Sequence, residues 1–334
     1  MADALPTNML AHRYDPGHDA VHFIRVPREL RRSAPFLIDE ELKVADTPLV
    51  VRRSEAVAGS AGAARLNFIF HSAYCCSTLL ANAYDRPGSA FSLKEPALLN
   101  DLVGWRHRGG PPAQIGAVLG DGLKLMARPW AAGEVGVIKP SNVVNALIPA
   151  MMATRPEAHV LLLHAPLHVY LGSIASKGLW GRRWVRELLI KQLTDGTVDL
   201  GFEPNDYFLQ TDLQVAAVGW LAQHRMFAHV AQGNPTRVRT LNSETLLADP
   251  AAALAKLDAL FAVAGTDDDR AGIVSSVFRR HAKFGSDFTA ADRTAGQESA
   301  AALHGEEIEK VIAWAEAVAA NVGLAMDLPQ PLLG

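Results

Sequence analysis

Five short apolar runs, each followed by a polar loop and then by sequence of helical period, constrain this chain more than any other feature. They fall at residues 66–70, 90–93, 133–138, 159–163 and 237–241. Runs this short and this continuously apolar read as strands buried on both faces, and strands that alternate with helices build a parallel sheet covered on both sides. Between and after them the spacing predicts helices over residues 77–84, 96–102, 114–126, 143–154, 171–193, 213–231, 251–261 and 306–322. Pro96 suits the first turn of its helix, where a missing N–H costs nothing. A length of 334 residues with 49% apolar content supports one large core. Residues 1–64 mix short apolar runs (21–26 and 49–51) with Pro and charge, and close on a small-residue joint at 58–63. They read as an N-terminal extension packed on an α/β domain spanning 65–334.

The net charge of −3 offers no broad field to attract nucleic acid or an anionic membrane, so any anion must be held by a local cluster. The two cysteines, Cys75 and Cys76, are adjacent, a spacing that does not suit a relaxed disulfide. The 12 histidines show no metal-ligand spacing, which argues against a structural metal. Asp3, His12, Arg13 and Asp15 stand where a signal peptide needs an apolar run, and 143–154 is too short to span a bilayer. The expected address is cytoplasmic, with no nucleic-acid or membrane partner.

In an open parallel sheet, ligands bind beyond the carboxyl ends of the strands. After the first strand comes His71-Ser-Ala-Tyr-Cys-Cys-Ser-Thr78, a loop running into a helix, where unpaired N–H groups and two hydroxyls suit an anion. The same residues also suit a plain helix start, with Ser77 as cap and the cysteines as small core residues. The other strand ends carry Lys94-Glu95-Pro96 and Lys139-Pro140-Ser141-Asn142. No Walker sequence G-x-x-x-x-G-K-[ST] is present, which weakens metal-bridged ATP chemistry.

In their order and spacing these segments resemble the sulfotransferase superfamily, whose members carry a sulfuryl group from 3′-phosphoadenosine 5′-phosphosulfate to a hydroxyl or amine. The family's Arg-Ser-Gly-[Ser/Thr]-Thr-Leu-Leu is similar to Tyr74-Cys-Cys-Ser-Thr-Leu-Leu80, its Glu-Pro to Glu95-Pro96, and its lysine-bearing strand end to Lys139-Pro140. Its 3′-phosphate strand resembles Leu163-His-Ala-Pro-Leu167 with Ser173, and its late Glu-x-Leu-x-x-Asp-Pro resembles residues 244–250. The resemblance covers residues 65–290. It departs from the family at Tyr74, Cys76 and His164, which replace a basic residue, Gly and Arg. Ser141 stands where the cytosolic branch has its catalytic His.

The resemblance implies a P-loop NTPase-like three-layer α/β sandwich with a mostly parallel central sheet. It implies 5′-phosphosulfate binding by Ala73, Tyr74, Cys75, Cys76, Ser77 and Thr78. Glu95 would act as base, Lys139 would stabilise the leaving oxygen and Lys94 would assist. His164 and Ser173 fall on the 3′-phosphate positions, and the missing arginine has replacements in Lys177, Arg182 and Arg183, or in Arg279, Arg280, His281 and Lys283. Trp180 and Trp184 fit either a lid over a base or core positions at helical spacing. The implied partners are the nucleotide donor and a small-molecule or carbohydrate acceptor, its pocket lined by 101–112, 199–211 and the N-terminal extension. A kinase-like phosphotransferase and a non-catalytic nucleotide- or anion-binding protein are the alternatives.

Overall fold

The computed structural model describes residues 5–43, 46–60, 64–279 and 290–333, with 290–301 as backbone alone. Its N-terminal part is more regular than the Pro- and charge-bearing sequence suggests. Strands β1 (Met9–Asp15), β2 (Ala20–Arg25) and β3 (Leu49–Arg52) form an antiparallel sheet in that order. Leu10, Phe23 and Val26 bury their side chains in one core with Leu99, Leu102 and Leu123. Arg13 forks onto Asp101, with N–O distances of 2.7 to 3.1 Å.

All five predicted core strands form: β4 (Leu66–His71), β5 (Ala90–Lys94), β6 (Val135–Lys139), β7 (Val160–His164) and β8 (Val238–Asn242). They lie in the order β5-β6-β4-β7-β8, every pair parallel. The fold is therefore an α/β layered structure around a five-stranded parallel sheet. Successive side chains point to opposite faces. Phe68, Phe70 and Leu162 enter one core with Leu119, Met151 and Phe227, whereas Ile69, Leu161 and Leu163 enter the other with Tyr84, Tyr170 and Phe261. Each such aromatic or aliphatic side chain contributes about 1.5–3 kcal/mol by leaving water. Gly136 is required by this packing, since a Cβ there would lie 2.6 Å from a Leu66 methyl carbon and 2.8 Å from the Phe91 ring.

Both sheet edges are covered by other parts of the chain. At β5, Leu37 N–H donates to the Lys94 carbonyl (2.7 Å) and Ala97 N–H to the Leu37 carbonyl (3.2 Å). At β8, Thr240 N–H donates to Gln330 and Leu332 N–H to Thr240, at 2.9 and 2.8 Å. Unpaired strand edges invite pairing with other chains, and these contacts remove the invitation.

The helix expected over 171–193 is two helices, Leu167–Ala175 and Gly178–Thr194. Gly178 makes the break with φ +56°. Gly181 keeps it tight, because a Cβ there would meet the Ile174 carbonyl oxygen at 2.5 Å. The expected helix at 143–154 opens as a 3₁₀ turn, Asn142–Leu147, before Ile148–Thr154, where Pro149 occupies a first-turn position. Asp212–Gly233 forms one long helix, started by a capping box between Thr211 and Gln214. Among the described residues no helix is long and apolar enough to cross a membrane.

Candidate active site at the carboxyl end of the sheet

The order in which strands are added reverses at β4, since β5 and β6 lie on one side of it and β7 and β8 on the other. Crevices at such switch points hold ligands in open α/β sheets. The loop after β4 is held from several sides. Ser72 Oγ accepts from Ala165 N–H beyond β7 (3.1 Å), and Asn145 Nδ2 donates to the His71 carbonyl (3.0 Å). Ala73 N–H donates to His71 Nδ1 (3.0 Å).

Among the described residues eight non-glycine residues have positive φ, and four of them are here: Ala73 (+71°), Tyr74 (+52°), Cys76 (+62°) and Glu95 (+50°). Such conformations cost about 1–3 kcal/mol each and gather at functional sites. Successive residues alternating into the left-handed region turn their N–H groups into a concave nest that favours an anion. Cys76 thus takes a left-handed conformation that glycine adopts most readily, and Ser77–Asn82 begins directly after it as a short helix.

The strand-end carboxylate and lysine come together beside this loop. Lys94 and Lys139 are register partners on β5 and β6, and Lys139 Nζ forms an ion pair with Glu95 Oε1. The Lys139 ammonium also donates to Thr78 Oγ1 at 3.4 Å, and the Phe36 ring of the N-terminal extension lies 5.1 Å from it. Lys139 is 1% exposed and Glu95 17%, so the carboxylate is the member that solvent or a ligand reaches. His71 was not among the residues singled out for chemistry, yet its Nε2 lies 3.8 Å from Glu95 Oε1. Because Nδ1 accepts from Ala73, the ring carries its proton on Nε2, the atom facing the carboxylate. In the sequence His71 shows only as the first residue of the loop after the strand at 66–70.

Lys94 faces inward, donating to the Arg32 carbonyl (2.7 Å) and to Asn82 Oδ1 (2.8 Å). Burial brings its pKa down to about 8, with Lys139 and Arg32 adding to the decrease against Asp85. Cys75 is fully buried, which pushes its thiol up to about 11. Tyr74 meets Trp184 and Tyr170 edge-on, with ring centroids 5.4 and 5.9 Å away. Lys177 Nζ lies over the rings of Tyr74 and Trp180, at 5.8 and 5.9 Å. Trp184 is half-buried against Tyr74, while Trp180 is 61% exposed.

The residues expected at a 3′-phosphate are more dispersed. His164 ends β7 beside His224, their ring centroids 5.7 Å apart, and burial lowers its pKa to about 4. At neutral pH it is a neutral imidazole rather than a cation. Ser173 is half-buried on helix Leu167–Ala175. Arg182 is shared between Asp212 (3.8 Å) and Glu307 (3.4 Å), and Arg183 pairs with Glu187 at 3.4 Å. Arg279 is exposed, and Arg280, His281 and Lys283 lie outside the described residues. Among the described residues no three His, Cys, Asp or Glu side chains gather as a metal site.

No protein-family model matches the chain, and no curated protein matches it. Among solved structures it is similar to a sulfotransferase of Mycobacterium tuberculosis H37Rv, with 14% identity and a TM-score of 0.38 over 74% of this chain and 78% of that one. A likeness this distant does not carry function.

Proposed function

We propose that the chain is a sulfotransferase-like enzyme that moves a sulfuryl group from 3′-phosphoadenosine 5′-phosphosulfate to a hydroxyl or amine. The observation that carries this reading is the Glu95–Lys139 ion pair, a carboxylate and an ammonium brought from neighbouring strand ends to the rim of an anion nest. The nest at 73–76 and the hydroxyls of Ser77 and Thr78 hold the phosphosulfate. Lys139, already within reach of Thr78, turns from Glu95 toward the bridging oxygen as the donor brings in its own negative charge. That leaves the carboxylate free to take up the acceptor's proton.

In the transfer step the acceptor oxygen or nitrogen attacks sulfur, and its proton passes to Glu95. The sulfur–oxygen bond to the phosphate breaks with its electron pair on that oxygen, where Lys139 balances the charge. His71, with its proton on Nε2, orients Glu95. Lys94 holds the 32–37 segment over the site rather than touching the reacting atoms. Positioning and charge stabilisation supply most of such a rate enhancement.

Isothermal titration with adenosine 3′,5′-bisphosphate in a chelator tests the donor assignment, and sulfate transfer to a hydroxyl and amine panel tests the chemistry. Glu95→Gln is expected to keep bisphosphate binding and lose transfer, while Lys139→Ala loses about 10²–10³ in kcat. Absence of bisphosphate binding, or transfer that survives both substitutions, would refute the proposal.

A further inference from the structure

The amino end of the sheet, opposite the Glu95–Lys139 pair, carries a second concentration of charge. β4, β7 and β8 lie side by side, and the residues that directly precede them are Arg65, His159 and Arg237. Backbone bonds hold these strand starts together: Phe68 N–H donates to the His159 carbonyl at 3.0 Å, and Val160 N–H to the Arg237 carbonyl at 2.9 Å. Arg239, the second residue of β8, adds another guanidinium. His159 feels them all, since burial and then Arg65, Arg237 and Arg239 hold its pKa below the ordinary histidine value.

No acid answers this charge. Arg237 Nη1 donates to the carbonyls of Pro156 (2.8 Å), Arg155 (3.3 Å) and Met152 (3.4 Å) at the end of helix Ile148–Thr154. Arg239 Nη1 donates to those of Pro235 (2.6 Å) and Val238 (2.7 Å). Carbonyls fix the arginines in place but carry no net charge to balance them. Among the described residues neither these two nor Arg65 and Arg155 pair with a carboxylate. Arg155 Nε and Nη2 and His159 Nδ1 are buried with no hydrogen-bond partner, a condition that folded proteins rarely leave unrelieved.

An open pocket of about 250 Å³ adjoins this cluster and shares Arg237 with it. His229 and Asn234 are its other polar side chains, and Pro149, Met152 and Val230 give it an apolar side. The volume is far above the ~10–15 Å³ that one water needs, and just under the range of about 300–1,000 Å³ typical of drug-sized ligands. A cation would be repelled here, and a neutral molecule would leave the guanidinium charge unbalanced. A phosphate ester brings negative charge on oxygens that match the guanidinium fork, with an organic part for the apolar side.

We propose that the amino end of the sheet binds a small organic phosphate, its phosphate group at Arg237 among the neighbouring arginines and its organic part against Met152 and Val230. The length of a five-residue strand, roughly 15 Å, separates this place from Glu95 and Lys139. Phosphate binding there does not depend on sulfuryl transfer.

Isothermal titration of phenyl phosphate into the full chain at constant ionic strength, with phenol and sodium chloride as controls, tests the site. Saturable binding is expected with phenyl phosphate and with neither control, and it should persist in Lys139→Ala. Arg237→Gln and Arg155→Gln should each weaken it about tenfold, the loss of one charge-assisted hydrogen bond. Arg65→Gln, at an exposed side chain, serves where loss of the Arg237 bonds disturbs folding. No saturable heat, or equal binding by all the arginine variants, would overturn the proposal. So would loss of binding in Lys139→Ala, which assigns the phosphate to the nest, or binding of a single-stranded oligonucleotide without binding of phenyl phosphate.

Discussion

Lys94 offers the sharpest test of the site's electrostatics. Its ammonium is 2% exposed, and its pKa falls from 10.5 to about 8, chiefly through burial. A lysine whose folded pKa lies below its unfolded value binds fewer protons when folded, so stability rises with pH across the window from about 8 to 10.5. At about 1.4 kcal/mol per pKa unit, the change amounts to on the order of 3 kcal/mol. Below that window the whole cost is present, and above it the cost has gone. For a chain of this size the unfolding entropy is on the order of 0.7 kcal/mol per degree, so the effect corresponds to roughly 4 °C in Tm.

Lys94→Met removes the titration but also orphans the Arg32 carbonyl and Asn82 Oδ1, a penalty that does not depend on pH. The quantity to follow is therefore the difference in Tm between wild type and Lys94→Met, measured by thermal melting from pH 7.5 to 10.5. The wild type should gain roughly 4 °C on the variant over this interval. A difference that stays constant within a degree would refute the account of Lys94 as a charge held in a dry site.

Other expectations follow from named contacts. His224 is buried and stacked on Trp220 with ring centroids 4.3 Å apart, and burial lowers its pKa to about 3. The folded state thus loses stability as pH falls through about 6.5 toward 3, and His224→Phe should flatten that acid limb in urea titrations from pH 7 to 4. Cys76→Gly should change stability by no more than about 1 kcal/mol, because relief of the left-handed backbone offsets the added chain entropy. Gly136→Ala should cost about 1–3 kcal/mol by driving a methyl into Leu66 and Phe91, read as a lower denaturation midpoint. Trp184→Ala should loosen Tyr74, seen as a changed tyrosine environment in near-ultraviolet circular dichroism.

The sequence disclosed the central sheet because its strands are buried on both faces and so carry unbroken apolar runs. The same reasoning placed Glu95 and Lys139 at strand ends, though only their adjacent positions in the sheet bring them into contact. Less was visible where the determinant is not local. Glu95 and three residues of the nest hold left-handed conformations that their side chains disfavour, and tertiary contacts through Ser72, His71 and Asn145 fasten the loop. Nothing in residues 171–193 except Gly178 marks the break between the two helices, since the apolar period continues through it. Arg182 and Arg183 looked available for an anion, but carboxylates on helical segments remote in sequence or one turn away engage them.

The covered sheet edges have a consequence for how the molecule is assembled and handled. Thr240 bonds to residues about ninety positions further along, and Lys94 to residues about sixty positions earlier, so each closure joins distant parts of the chain. Contacts of that span carry a large loop-closure entropy and tend to form late. Until they form, both margins of a strongly apolar sheet are open to other molecules. Shortening the chain to remove 329–332 would make that transient state permanent on the β8 side, and light scattering should then report concentration-dependent association even with the core and the Glu95–Lys139 pair intact.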